Sequence, residues 1–183
     1  MDLEERFRIL GEKKFRFSAI AFLGLLEQEE GDLAESQAYL EQALANSREC
    51  GWKNTIVWHL AALSVTFYLQ GNVVRFKQIV RESISLAKGL SKVTKFWLLV
   101  VVLNALSLPK PDRSACILGS VDTLRRENGL SIGTPLLKYY YDRSEGAVRK
   151  ALGNTTFELA FAEGQKIPVN AALDLVLKTV EEM

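Results

Sequence analysis

The chain has 183 residues, of which 48% are hydrophobic and 25% charged, and its formal net charge is +1. That length holds one domain or one compact repeat array with a real core, and the composition is that of an ordinary globular protein. So small a charge supplies no electrostatic pull toward nucleic acid or an anionic membrane, and neither is expected as a direct partner.

Acidic residues follow Met1 at once, unlike a secretory signal. Cys50 and Cys116 lie far apart and match no metal or redox spacing. They are expected as buried, reduced thiols in a cytoplasmic protein, a disulfide or reactive thiol being the alternative.

In chain order, the first clear amphipathic segment is "LAESQAYLEQALANSRECG", with Leu33, Leu40, Ala43, Leu44 and Ser47 at three-and-four spacing. "VVRFKQIVRESISLAKGL" repeats the pattern with Val73, Phe76, Ile79, Val80 and Ile84. The run "FWLLVVVLNALSL" at 96–108 is 13 residues long, short of the roughly 20 a membrane span needs, so it is expected as a buried core element. Its β-branched Val100 to Val102 leave helix and strand open locally. Helical neighbours and the lack of proline before residue 109 decide for an all-α chain.

Two segments superpose at a shift of 40 residues, "LLEQEEGDLAESQAYLEQAL" (25–44) and "VTFYLQGNVVRFKQIVRESI" (65–84). Gly31-Asp32 falls on Gly71-Asn72, Leu40 on Val80, Leu44 on Ile84 and Leu23 on Leu63. A weaker third copy places Leu103 on Leu63 and Pro111-Asp112 on the turn. Each unit predicts a helix, a turn closed by left-handed glycine and capped by Asp or Asn, and a second helix. Such hairpins cannot cover their own apolar faces and stack into a solenoid with a groove.

Further along, Thr155-Thr156-Phe157-Glu158 has the form of a capping box, with Thr155 as cap. Phe157, Ala160 and Phe161 share a face, Gly164 ends that helix, and Pro168 suits the start of the next. Ala172, Leu173, Val176, Leu177 and Val180 give the last helix its buried stripe. These two helices are expected to cap an open end of the stack.

"GDLAESQAYLEQAL" resembles the second half of a tetratricopeptide repeat, with Ser36, Leu40, Ala43 and Leu44 in its packing places and Leu23-Gly24 in its first helix. The 40-residue period is longer than that family's standard unit. It resembles the long-helix repeats in the C-terminal regions of large ATP-binding LuxR-type bacterial transcription regulators, the MalT-like group. The tail is similar to the terminal pattern of that group: "ILGSVDTLRRENG" (117–129), then "VRKALGNTTFELAFAEGQKIPVNAALDLVL" (148–177). Leu152, Gly153, Phe157, Ala160, Phe161, Gly164, Lys166, Ala172 and Leu173 fall on matching places. The resemblance covers roughly residues 18–180. It implies a tetratricopeptide-like right-handed superhelix of about three long helical hairpins with a C-terminal helical cap. Residues 1–130 would be the repeats and 131–183 the helices that complete them.

Little in the chain suggests catalysis. His59 is the sole histidine, which excludes a multi-histidine metal site and leaves it a packed helix residue. Glu29-Glu30 and Glu181-Glu182 are expected on solvated surface, as are Lys13-Lys14-Arg16 and Arg125-Arg126. "GLSIGT" (129–134) lacks the lysine of a phosphate loop and is taken as a linker. Tyr139-Tyr140-Tyr141 cannot all face one side of a helix, so one or two rings are expected to pack on the preceding hairpin. No enzyme and no cofactor are expected.

What remains is a groove. The tetratricopeptide register places Ser18, Ala21, Leu25 and Gln28 on its concave side, followed by Trp58, Ala61, Val65 and Tyr68. Of these, Ser18, Leu25, Gln28, Trp58, Ala61 and Tyr68 are the candidate site, suited to a protein, a peptide or a small-molecule inducer. Inter-repeat core is the other role open to Trp58 and Tyr68. The third unit's Leu98, Val101, Ala105 and Leu108 are too apolar for a wet groove, and helices after about residue 134 are expected to cover them. The resemblance implies a sensing or association module within a regulator. A free-standing adaptor and an accessory region of a nucleotide-cyclase-like signalling protein are the alternatives, and an open repeat end would suit a homodimer.

Overall fold

The structure, a computed structural model, describes the backbone of residues 3–130 and 135–183 and the side chains of 11–12, 18–130 and 135–183. The side chains of Lys13, Lys14 and Arg16 and most of the expected linker lie outside these. Among the described residues the chain is all-α, with nine helices and no strand. They are α1 (Leu3–Glu30), α2 (Leu33–Glu49), α3 (Lys53–Leu69), α4 (Val73–Lys88), α5 (Lys92–Leu106), α6 (Pro111–Glu127), α7 (Pro135–Leu152), α8 (Asn154–Gly164) and α9 (Val169–Glu181).

The first two predicted turns form as the residues dictate. Gly31 and Gly71 carry φ of +91° and +73°, which reverse the chain without a side-chain clash. Asp32 Oδ1 then accepts the Glu35 N–H at 3.0 Å, and Asn72 Oδ1 the Arg75 N–H at 3.1 Å. The third copy departs from this pattern. Proline at the first helical position starts α6 two residues early, so Lys110 is the cap residue and Asp112 lies inside the helix.

Helices α1, α3, α5 and α7 touch in succession and form one layer, with α2, α4 and α6 packed against it. The 40-residue period is physical: Thr94 donates to Asn54 Oδ1 at 2.8 Å across α5 and α3, joining equivalent positions. The apolar run forms α5, and its residues from Leu98 to Leu103 are all buried. Helix α7 does pack on α5, and Leu98, Val101 and Ala105 are covered as expected, but Leu108 stands 72% exposed in the turn beyond. The equivalence of Leu23 and Leu63 fails in packing, at 44% against 1% exposed. Leu63 lies on α3, which α1, α2, α4 and α5 surround, whereas among the described residues the backbone of α1 comes close only to α2 and α3, and α7 reaches it through side chains.

The C-terminal helices are held by two devices. Helix α8 crosses α6 where both are glycine: a Cβ on Gly119 would lie 2.1 Å from the Phe161 carbonyl oxygen, and one on Gly164 would lie 2.0 Å from that of Cys116. Helix α9 turns back and packs on α4, α5 and α6. The sequence predicts both terminal helices at an open end; α9 instead fills the gap between α4 and α6, whose backbones do not come close to each other among the described residues. Its stripe of Ala172, Leu173, Val176 and Val180 is buried there, with Leu177 half-buried. Charged groups clasp its edges: Arg81 grips Glu181 with two hydrogen bonds of 2.5 Å, Lys88 meets Asp174 at 2.6 Å, and Arg113 meets Glu182 at 2.6 Å.

The capping box is corrected. Helix α8 begins at Asn154, one residue after Gly153, and Thr155 sits within its first turn making no cap bond. Glu158 turns away to Arg149, at 2.7 Å. Cys50 and Cys116 are free thiols, but half-buried rather than buried.

Candidate functional site

Tertiary placement divides the face shared by α1, α3, α5 and α7 into three parts. At the start of α3 and α5 lies an open pocket of about 360 Å³, lined by Ser18, Phe22, Asn54, Thr55, Trp58, Val93, Thr94 and Trp97. Its aromatic walls are in mutual contact. The Phe22 and Trp58 ring centres are 5.5 Å apart, and Trp97 stands edge-on to Trp58 at 6.4 Å and 83°. Such tilted and edge-to-face pairs are the favoured aromatic geometries. Among the described residues none that lines the pocket is charged, and Ser18, Asn54, Thr55 and Thr94 supply its polar groups.

The middle part is a closed waist. Leu136, Leu137 and Tyr140 of α7 press on Leu25, Trp58, Ala62, Trp97 and Val101, leaving about 10 Å³. Beyond it opens a second, more polar recess of about 250 Å³, where Gln28, Glu29, Asn104, Tyr140 and Arg143 converge.

The six candidate residues separate accordingly. Ser18 and Trp58 meet in the aromatic pocket. Leu25 belongs to the waist. Gln28 reaches the recess but is 6% exposed, and its amide donates to Thr66 Oγ1 at 2.7 Å. Thr66 Oγ1 in turn shares a 3.1 Å hydrogen bond with Ser36, so α1, α3 and α2 are tied by one buried polar chain. Ala61 is fully buried, and Tyr68 packs its ring on Phe76 at 5.5 Å between centres. Phe22, Asn54, Thr55, Val93, Thr94 and Trp97 complete the pocket, and the tetratricopeptide register points to none of them. That register hides Trp97, because a 40-residue shift pairs Trp58 with Leu98.

Several other ionisable groups have internal partners. His59 is fully buried with Nδ1 3.1 Å from Ser47 Oγ, and burial pushes its pKa down to about 4, opposed in part by the Ala43 backbone. Arg126 is exposed and Arg125 half-buried on the face expected to be solvated, and both bind the buried carboxylate of Asp122 at 3.0 Å. Tyr140 and Tyr141 are buried and Tyr139 is exposed, its hydroxyl donating to Glu29 at 2.9 Å. Among the described residues no group of three or more His, Cys, Asp or Glu is placed to hold a metal, and no helix is long and apolar enough to cross a membrane.

Compared with known proteins, the chain matches no protein-family model, no curated protein and no solved structure.

Proposed function

We propose that this chain is a non-catalytic, tetratricopeptide-like binding module that senses an effector or associates with a protein. The observation that carries this reading is the aromatic pocket: three rings and four polar side chains around about 360 Å³, open to solvent and with no charge among its described lining residues. Pockets of that size and balance hold ligands through apolar contact, with a few polar groups fixing orientation. The burial of the sole histidine supports a role without acid–base chemistry, since a group out of reach of solvent is out of reach of substrate. The regulatory setting, the C-terminal part of a LuxR-type transcription regulator in the cytoplasm, rests on the resemblance of residues 117–129 and 148–177.

The reading is tested by a thermal-shift and tryptophan-fluorescence screen of sugars, nucleotides and short peptides. A ligand of the pocket raises Tm by mass action and perturbs Trp58 and Trp97 emission. A Trp58→Ala, Trp97→Ala double variant that stays folded yet keeps all the binding of the parent overturns the assignment.

A further inference from the structure

A row of exposed apolar side chains runs along the outer face of α1. Ala19, Phe22, Leu23 and Leu26 recur at three-and-four spacing and so share one face of the helix. Ala19 is exposed, and the other three are 43%, 44% and 59% exposed. The opposite face, with Ala21, Leu25 and Gln28, is buried in the fold. A helix at the edge of a repeat stack needs a polar outer face to stay soluble, and this one is apolar.

The 40-residue period shows what covers such a face. The equivalent positions are His59, Ala62, Leu63 and Thr66 on α3, and Leu99, Val102, Leu103 and Leu106 on α5. None of these eight is more than 1% exposed. On α3 the cover is α2: Ser47 Oγ lies 3.1 Å from His59 Nδ1, and Ser36 Oγ lies 3.1 Å from Thr66 Oγ1. Residue numbers rise along one helix as they fall along the other, so α2 runs antiparallel to α3. The same face of α1 thus has the register of a surface sealed by an antiparallel helix, and it stands open.

We propose that a second copy of this chain supplies that helix, the two α1 helices packing antiparallel about a two-fold axis beside Phe22 and Leu23. This isologous contact sets Leu26 of each copy against Ala19 of the other, large against small, and Phe22 against Leu23. Glu30 is exposed one turn beyond Leu26 on the same face. A parallel pair would bring the two Glu30 carboxylates together, which like charges oppose, and would stack Leu26 on Leu26. The interface stands apart from the ligand reading of the aromatic pocket. Phe22 borders both, but Leu23 and Leu26 are not among the lining residues of that pocket, so the failure of either reading leaves the other intact.

The test is sedimentation equilibrium of the full chain. Between about 5 and about 500 μM the mass is expected to rise from 20.5 kDa toward twice that value, with a dissociation constant of roughly tens of micromolar. Leu26→Lys changes an exposed position and should fold like the parent, yet weaken association at least about tenfold by placing a charge in the seam. Leu159→Lys, at a leucine of α8 that is 68% exposed, should leave association unchanged. Under mild oxidation Leu23→Cys, beside the axis, should link the two copies. Glu30→Cys should not, because an antiparallel pair holds the two residues roughly 22 Å apart. Four results overturn the proposal: a mass of 20.5 kDa throughout, which leaves the face to a helix of another protein; association that Leu26→Lys does not weaken; association that Leu159→Lys weakens as much; or no link through Leu23→Cys, or one through Glu30→Cys. Should Leu26→Lys fail to fold by circular dichroism, the parent's mass series and the two cysteine variants decide.

Discussion

Adding one methyl group should have opposite effects on two helical glycines of this chain. Gly146 lies exposed inside α7, and a methyl added there would meet no described atom within 4 Å. Ala at that position gains helix propensity, about 1 kcal/mol, and should raise Tm by about 2–4 °C for a chain this long. Gly119 lies inside α6, where the same methyl would sit 2.1 Å from the Phe161 carbonyl oxygen and 2.8 Å from the Gln165 nitrogen. Both are backbone atoms, so no rotamer relieves the overlap, and α8 must back away by roughly an ångström. A gap of that size forfeits a quarter to a half of each dispersion contact it opens. Overpacking of this kind costs about 3 kcal/mol at its upper end. Less the propensity gain, Gly119→Ala should lose about 2 kcal/mol, or about 4–8 °C in Tm. Thermal unfolding followed at 222 nm measures both variants, and hydrogen exchange over Asn154–Gly164 shows whether α8 loosens first. A Tm for Gly119→Ala at or above that of the parent would refute the close-crossing account.

Other consequences follow from single side chains. Because His59 is held near pKa 4 against an ordinary 6.5, the unfolded chain binds its proton first. The contribution to stability is whole above about pH 6.5 and is lost as pH falls toward 4, about 2 kcal/mol of it between pH 7.5 and 5. Urea unfolding at the two pH values should show this slope, and His59→Phe should flatten it. Asp32→Ala removes a real cap and should cost about 1 kcal/mol, whereas Thr155→Ala should fall within about 0.5 kcal/mol of the parent; equal losses in urea unfolding would restore the capping box.

The helices and their first two turns are legible in the sequence because their signals are local. A three-and-four stripe and a Gly-Asp or Gly-Asn pair act within one or two turns of chain, and both survive folding unchanged. Helix α5 is legible through its neighbours rather than its valines. The start of α8 is misread because Thr155 and Glu158 have the spacing of a capping box, whereas Gly153 takes the cap position instead. The site is only partly legible. Trp58 is large and interrupts small residues, so it draws notice; Trp97 stands one residue off the repeat register. The Gln28–Thr66–Ser36 chain joins three helices, and no spacing within one helix reports it. A buried stripe on α9 says that the helix is covered, not which neighbours cover it.

That placement of α9 bears on how the chain is made. In a simple solenoid each unit can close on the one before it as it leaves the ribosome. Here the gap between α4 and α6 is filled by a helix synthesised after all the others described, with Arg81 waiting 100 positions for Glu181. Until Val169–Glu181 emerges, the apolar flanks of α4 and α6 stand open, and the second and third hairpins are hinged only at α5. Completion of the fold is therefore a single late event, dependent on the arrival of α9, in an architecture that otherwise permits step-by-step growth.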